Sequence, residues 1–244
     1  MRKKPNPMDE RMKPFVVKAT AKTVRRRNIL LKLFIIILLI VILLLGTFFG
    51  LFWFVNKAGN FTVWVPDDQR NLITLSDTAD FAECSTMLEA DVIENMDNIT
   101  KSWMPDNLDE IDGSHNGENY IAYTFYLKNA GENVIDYSAA IDMHAVTKGT
   151  DHAVRVMIIK NGEETVYAKP KAGSTEPEPD TVAFLSNTKV LENVTEDFEP
   201  GAVDKYTVVI WLEGEDPECV DDIKGGVAKM SMNFKVLEST DGGT

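Results

Sequence analysis

Residues 153–169 read AVRVMIIKNGEETVYAK, two apolar runs flanking Asn161-Gly162. That dipeptide accepts the positive φ values a type I′ turn requires, so the stretch predicts a two-residue β-hairpin. Further along, residues 206–212 (YTVVIWL) are apolar on both faces, which predicts a central strand or one covered on each side. In residues 227–236, Ala228, Met230, Met232, Phe234 and Val236 alternate with Lys229, Ser231, Asn233 and Lys235, the period of a strand with one wet face. Upstream, Ile121, Tyr123, Phe125 and Leu127 mark one strand, and Ile135, Tyr137, Ala139, Ile141, Met143 and Ala145 mark another. The polar turn at 129–133 between them predicts a second hairpin. Residues 61–65, 71–75 and 181–185 are shorter candidates, and eight to ten strands in all predict a mainly β fold, an antiparallel β-sandwich of jelly-roll type.

Two stretches depart from this pattern. Leu88, Val92, Met96 and Ile99 recur at helical spacing behind Ser85, so residues 85–99 predict a short helix. Residues 169–180 set Pro170, Pro177 and Pro179 among Glu176, Glu178 and Asp180, a composition that predicts a solvated loop.

Near the N-terminus, residues 33–55 (LFIIILLIVILLLGTFFGLFWFV) are 23 consecutive positions without a charged, amide or proline side chain. At about 1.5 Å per residue they cover roughly 34 Å, enough to cross a hydrocarbon slab of about 30 Å once. Eleven basic residues precede residue 33 against Asp9 and Glu10, whereas the remainder carries 14 basic and 36 acidic residues. Short basic tails resist translocation, so the N-terminus is expected in the cytoplasm and the acidic part outside. Lys32 can snorkel to one interface, and Trp53 suits the other. A secretory signal has an apolar core of only about 7–15 residues, so the run is read as an uncleaved anchor, with cleavage near Ala58-Gly59 as the other reading. The chain then divides into a basic cytoplasmic tail (1–28), a transmembrane helix (29–55) and one extracellular domain (56–244).

The acidic exterior would repel a phosphate backbone, which argues against nucleic acid as a partner. Cys84 and Cys219 both follow the apolar run; they are expected to pair, with two free thiols as the alternative, and they have no metal-ligand spacing. His115, His144 and His152 are not arranged as HExxH, and no nucleophile elbow, phosphate loop or dinucleotide fingerprint follows the apolar run. No catalytic residue, cofactor or metal ligand is therefore assigned. In DGSHNG, the residues Asp112, Ser114, Asn116 and Gly117 match the first half of a calcium loop. Tyr123 occupies the twelfth position, where a bidentate Glu belongs, so a plain turn is the preferred reading.

Residues 209–214 (VIWLEG) and 216–219 (DPEC), closing through Gly225-Gly226 into the Met230 strand, resemble the C-terminal end of bacterial TasA and camelysin-like surface proteins. Lys128-Asn129-Ala130-Gly131 followed by the Tyr137 strand resembles their central region. The resemblance implies a jelly-roll-like β-sandwich on a Gram-positive-type cell, and subunits that build matrix fibres by lending an N-terminal strand to the next subunit. Phe61, Val63 and Val65 share one face and make residues 61–65 the donor candidate. Camelysin-like members have been described as metalloproteases, an activity for which this chain offers no motif. Family members carry a short removable signal peptide, where this chain has a basic tail and a long apolar run. The sequence thus points to a non-enzymatic, membrane-anchored surface protein of biofilm matrix or envelope architecture. Its expected partners are membrane lipid and other surface proteins, or copies of itself, joined through sheet edges. A surface binding module or receptor with a short basic tail is the alternative.

Overall fold

The apolar run lies in α1 (Ala21–Lys57), a helix of 37 residues. Within it Arg25–Phe49, with a mean hydropathy of 3.3, is long and apolar enough to cross a membrane. Between residues 29 and 49 its leucine, isoleucine and phenylalanine side chains are exposed. Length and composition of this kind suit a membrane anchor and a signal sequence alike. The computed structural model describes residues 21–57, 61–171 and 173–237, with helix side chains from 25 to 49. Lys32 is exposed on α1, while the side chain of Trp53 lies outside the described residues.

Ala58–Thr244 forms a compact unit separate from Met1–Lys57, and it is mainly β. Its strands are β1 (Phe61–Trp64), β2 (Ile73–Ser76), β3 (Met87–Glu89), β4 (Gly113–Ser114), β5 (Tyr120–Asn129), β6 (Ile135–Val146), β7 (Val154–Lys160), β8 (Glu163–Ala168), β9 (Val182–Ala183), β10 (Lys189–Phe198), β11 (Val203–Leu212) and β12 (Ala228–Leu237). They form two sheets. One has the order β10-β6-β12-β1-β3; the other runs β2-β5-β11-β7-β8-β9 with β4 beside β5.

The 153–169 hairpin forms as predicted: Lys160 pairs with Glu163, and Asn161 and Gly162 have φ of 51° and 87°. β11 is central, flanked by β5 and β7, and both its faces are covered. Tyr206, Val208 and Ile210 enter the main core, whereas Val209 and Trp211 pack with Ile99, Met104 and Leu108 on the opposite side. β12 buries Met230, Met232, Phe234 and Val236 on one face as predicted, but on the face expected to be wet only Lys235 is exposed, with Lys229 and Asn233 half-buried and Ser231 buried.

Three expectations are corrected. First, β5 and β6 do not pair as a hairpin; they belong to different sheets. The five-residue connection carries the chain across from one sheet to the other. Asn129 fixes that crossing: its Nδ2 donates to the carbonyls of Asn133 and Phe198 at 2.9 and 2.8 Å, and its Oδ1 accepts from the Gly131 N–H at 2.9 Å. Second, residues 85–99 are not helical. The Ser85 hydroxyl bonds the N–H and carbonyl of Met87, closing a local turn instead of capping a helix, and Leu88 enters the core from β3 while Val92 is exposed. Third, Cys84 and Cys219 are free thiols at opposite ends of the second sheet. Ser85 bridges Leu75, which pairs with Leu127, which pairs with Asp204 at the start of β11. Cys219 follows the far end, in the turn whose Asp216 is held by Arg155 opposite Trp211. Asp204 to Trp211 spans about 23 Å of strand, while a disulfide needs Cα atoms within about 7 Å.

The donor candidate is not a free edge in this chain. Phe61, Val63 and Val65 are fully or nearly fully buried, and β1 lies between β12, to which it runs parallel, and β3, to which it is antiparallel. Side chains from both sheets share one core. The Phe234 ring of β12 meets the rings of Phe125 on β5 and Tyr206 on β11 edge-on, at 5.9 and 5.1 Å between centroids. Within this apolar contact, the Tyr137 hydroxyl donates to the Asp204 carboxylate and shares a 2.7 Å hydrogen bond with the Tyr206 hydroxyl. Lys160 lies over both tyrosine rings and 3.1 Å from Asp204.

Candidate functional site

Arg155 is the only charge inside the apolar run AVRVMII, and an isolated guanidinium in such a strand needs a buried partner. β7 places it directly opposite Trp211 of β11 and Ala168 of β8. Just past β11, the chain turns so that the Asp216 N–H bonds the Glu213 carbonyl and the Cys219 N–H bonds the Asp216 carbonyl. This brings the Asp216 carboxylate to the end of the sheet. Its Oδ2 lies 2.5 Å from Arg155 Nη2, with the two side chains only 0 % and 6 % exposed, and its Oδ1 accepts the Glu218 N–H at 2.8 Å. The remaining guanidinium contacts are to the carbonyls of His152 and Val154.

The loop between β8 and β9 supplies a third acid. Thr181 bonds the Glu178 carbonyl through both its N–H and its hydroxyl, pinning the backbone so that Glu178 turns inward. Among the described residues, Glu178, Asp216 and Glu218 form a group whose carboxylate oxygens lie within 4.8 Å of one another. Glu178 and Asp216 border a cleft of about 920 Å³ whose walls include Lys101, Glu164, Lys171 and Trp211.

The environment splits these acids. Burial raises the Glu178 carboxyl and the Asp216 charge raises it further, while Arg155 and Lys171 pull it down without prevailing. Burial also pushes Asp216 up, yet its hydrogen bonds to the Glu218 side chain and N–H and to Arg155 outweigh this and hold it below the ordinary carboxylate value. Nearby, burial raises the Cys219 thiol, as do the charges of Asp216 and Glu213. A raised thiol is a poor nucleophile.

Asp204, in the core, behaves like Asp216: burial pushes it up, but hydrogen bonds from Tyr137, Asn161 and Lys160 bring it below 3.8. A carboxyl lowered in the folded state contributes stability that is complete above its unfolded value and is lost as pH falls through the folded one. Asp204→Asn is therefore expected to melt below wild type at pH 7 and to approach it as acid protonates the lowered carboxyl. Near-UV circular dichroism melts across that interval check this; a constant gap at every pH contradicts it.

The other sequence candidates do not converge. In DGSHNG, Asp112 accepts the Tyr126 hydroxyl at 2.7 Å, Ser114 accepts the Asp91 N–H, and Asn116 bonds Ala122 and the Asp91 carbonyl. Those oxygens stitch a turn to its neighbours. His115 bonds the Gly113 carbonyl at 2.8 Å, His144 bonds Ser231 at 2.6 Å, and His152 lies near Lys169, so the histidines stand on three separate segments. The sequence reading missed the acid group because Glu178 sat in a stretch that looked solvated. Its one available signal was the lone arginine of β7, which demanded a buried acid.

No family model and no curated protein matches this chain. Two solved structures of a β-glucosidase from Kluyveromyces marxianus are weakly similar. The glucose complex aligns at 10 % identity and TM-score 0.24, covering 66 % of this chain and 15 % of that one. The selenomethionine form aligns at 13 % and 0.22, covering 48 % and 11 %. The chain therefore spans a small part of either enzyme, and scores this low assign no fold.

Proposed function

We propose that this is a membrane-anchored, non-enzymatic surface protein that builds matrix or envelope structure by β-strand association. In this reading α1 stays in the bilayer with its basic end in the cytoplasm, and the two sheets form a jelly-roll-like sandwich outside, as in TasA and camelysin-like proteins. The observation that carries it is the seat of β1. A four-residue strand that follows the helix in sequence fills the slot between β12 and β3 and buries Phe61 and Val63 completely. A neighbour's copy of that strand would make the same main-chain bonds and fill the same pockets in trans. β10 adds to the case: it is ten residues long, borders its sheet, and pairs with β6 alone among the strands. Residues 192–194, 196 and 197 on it are exposed, and Glu192, Glu196 and Asp197 supply charges that blunt indiscriminate pairing.

Deleting residues 61–65 from the 56–244 domain tests the reading. The shortened domain is expected to bind a synthetic FTVWV peptide and to join subunits that carry a free β1, giving oligomers in electron micrographs. Strict monomers at every concentration, with no peptide uptake, would remove strand exchange as the mechanism.

A further inference from the structure

β8 is covered along only half of its outer edge. On the side away from β7, β9 pairs with Tyr167 and Ala168 alone, so residues 163–166 have no strand beside them there among the described residues. The hairpin fixes which backbone groups point to that side. In a two-residue hairpin the closing pair, here Lys160 and Glu163, exchanges both main-chain hydrogen bonds, and such pairs then recur at every second position. Glu163, Thr165 and Tyr167 therefore turn their N–H and C=O toward β7, while those of Glu164, Val166 and Ala168 point outward. The bond from the Phe184 N–H to the Ala168 carbonyl, 2.8 Å long, agrees with this parity. Glu164 and Val166 thus present their N–H and C=O groups along the cleft of about 920 Å³ whose wall they help to form. We infer that this edge docks an extended segment of another protein, rich in lysine or arginine, as a strand added beside residues 163–166.

Charge selects the occupant. The cleft is lined by six acidic side chains against three basic ones. Lys101 is paired with Glu164, Arg155 is paired with Asp216, and Lys171 acts on Glu178, which leaves Asp180, Glu213 and Glu215 as the surplus. A strand laid beside β8 places alternate side chains on the face of Glu164 and Val166, so a cation at every second position would lie over these carboxylates. A second copy of this chain fits poorly. Its border strand β10 exposes Glu192, Glu196 and Asp197, which the cleft would repel, and residues 61–65 carry no charge to be attracted. The docking edge therefore differs in partner from the β1 slot, and the inference is independent of whether subunits exchange β1.

The test uses the full chain in a non-ionic detergent and a fluorescent acetyl-KTKTKTK-amide peptide as probe. Anisotropy is expected to show saturable binding that weakens about fivefold between about 50 and 500 mM NaCl. Acetyl-ETETETE-amide should not bind, and an FTVWV peptide should not compete. At saturation, amide hydrogen exchange should slow about tenfold at Glu164 and Val166 and stay unchanged at residues 192–194 of β10. Val166→Pro removes an outward N–H without touching the ladder to β7, and should weaken binding about tenfold, while Val166→Ala stays within about twofold of wild type. Glu215→Lys, at an exposed position, should weaken it about threefold. Exchange and Glu215→Lys decide the matter if Val166→Pro does not fold. No saturable binding, equal binding of the acidic peptide, competition by FTVWV, unchanged exchange at Glu164 and Val166, or wild-type binding by Glu215→Lys overturns the inference.

Discussion

Phe234→Ala is expected to cost about 3–5 kcal/mol and to lower Tm by about 10 °C, measured on the 56–244 domain by near-UV circular dichroism. Phe234 is fully buried on β12, near the middle of its sheet, and its ring touches those of Phe125, Tyr137 and Tyr206. Three of those four residues sit on strands other than β12, two of them in the second sheet, so the void would open where the sheets meet. These rings also hold one another and a fifth, since Phe125 stacks on Tyr206 at 5.7 Å and Tyr137 meets Phe198 at 5.0 Å. Collapse into the void would shift both tyrosines. Their hydroxyls are tied to each other, and Tyr137 is tied to buried Asp204, so movement is opposed and the void stays largely open. Val194→Ala, at an exposed position of β10, is the matching control and should change stability by less than about 0.5 kcal/mol. Equal effects at the two positions would refute the shared core.

The parts of this fold that could be read from sequence are those where local chemistry and tertiary environment agree. Asn161-Gly162 fixes a turn by its own φ preferences, so the β7–β8 hairpin follows without knowledge of neighbours. β11 announces its place because a strand with no polar face has to be covered twice. The failures fall where a local pattern fits two environments. The strands around residues 129–133 look like a hairpin, yet nothing local says whether a five-residue turn joins hydrogen-bonded neighbours or strands of facing sheets. That choice is made by Asn129 reaching the carbonyl of Phe198, 69 positions away. Residues 85–99 show helical spacing by coincidence: Leu88 and Ile99 are buried by different partners, β1 and the Glu213 segment, and Val92 by none. β10 was missed because its sequence, KVLENVTEDF, is mostly polar after Leu191, as befits a border strand. The acid group was illegible for another reason. Glu178 and Asp216 lie in two connections that meet only because β8 and β11 end at the same side of one sheet, so their proximity is a property of topology.

Arg155→Met should be comparably damaging, with a loss of about 3–5 kcal/mol at pH 7, because it leaves Asp216 buried without its ion partner. Methionine roughly keeps the apolar volume between Trp211 and Ala168, so the loss would report charge and hydrogen bonding more than packing. Asp216→Leu alone should also destabilise, by stranding the guanidinium. The double variant Arg155→Met/Asp216→Leu should recover a large part of either loss, since the penalty arises from an unpaired buried charge and the double variant has none at these positions. Acid gives a second signature. In wild type Asp216 is held low, so its share of stability is lost on acidification. In Arg155→Met the same carboxyl lacks its cation and takes up a proton more readily in the folded state, which reverses the sign: its deficit should shrink as pH falls from 7 toward about 4. Melting curves at both pH values, on all four proteins of the cycle, separate the cases. A deficit that is independent of pH, with strictly additive losses in the double variant, would mean that the pair contributes packing alone.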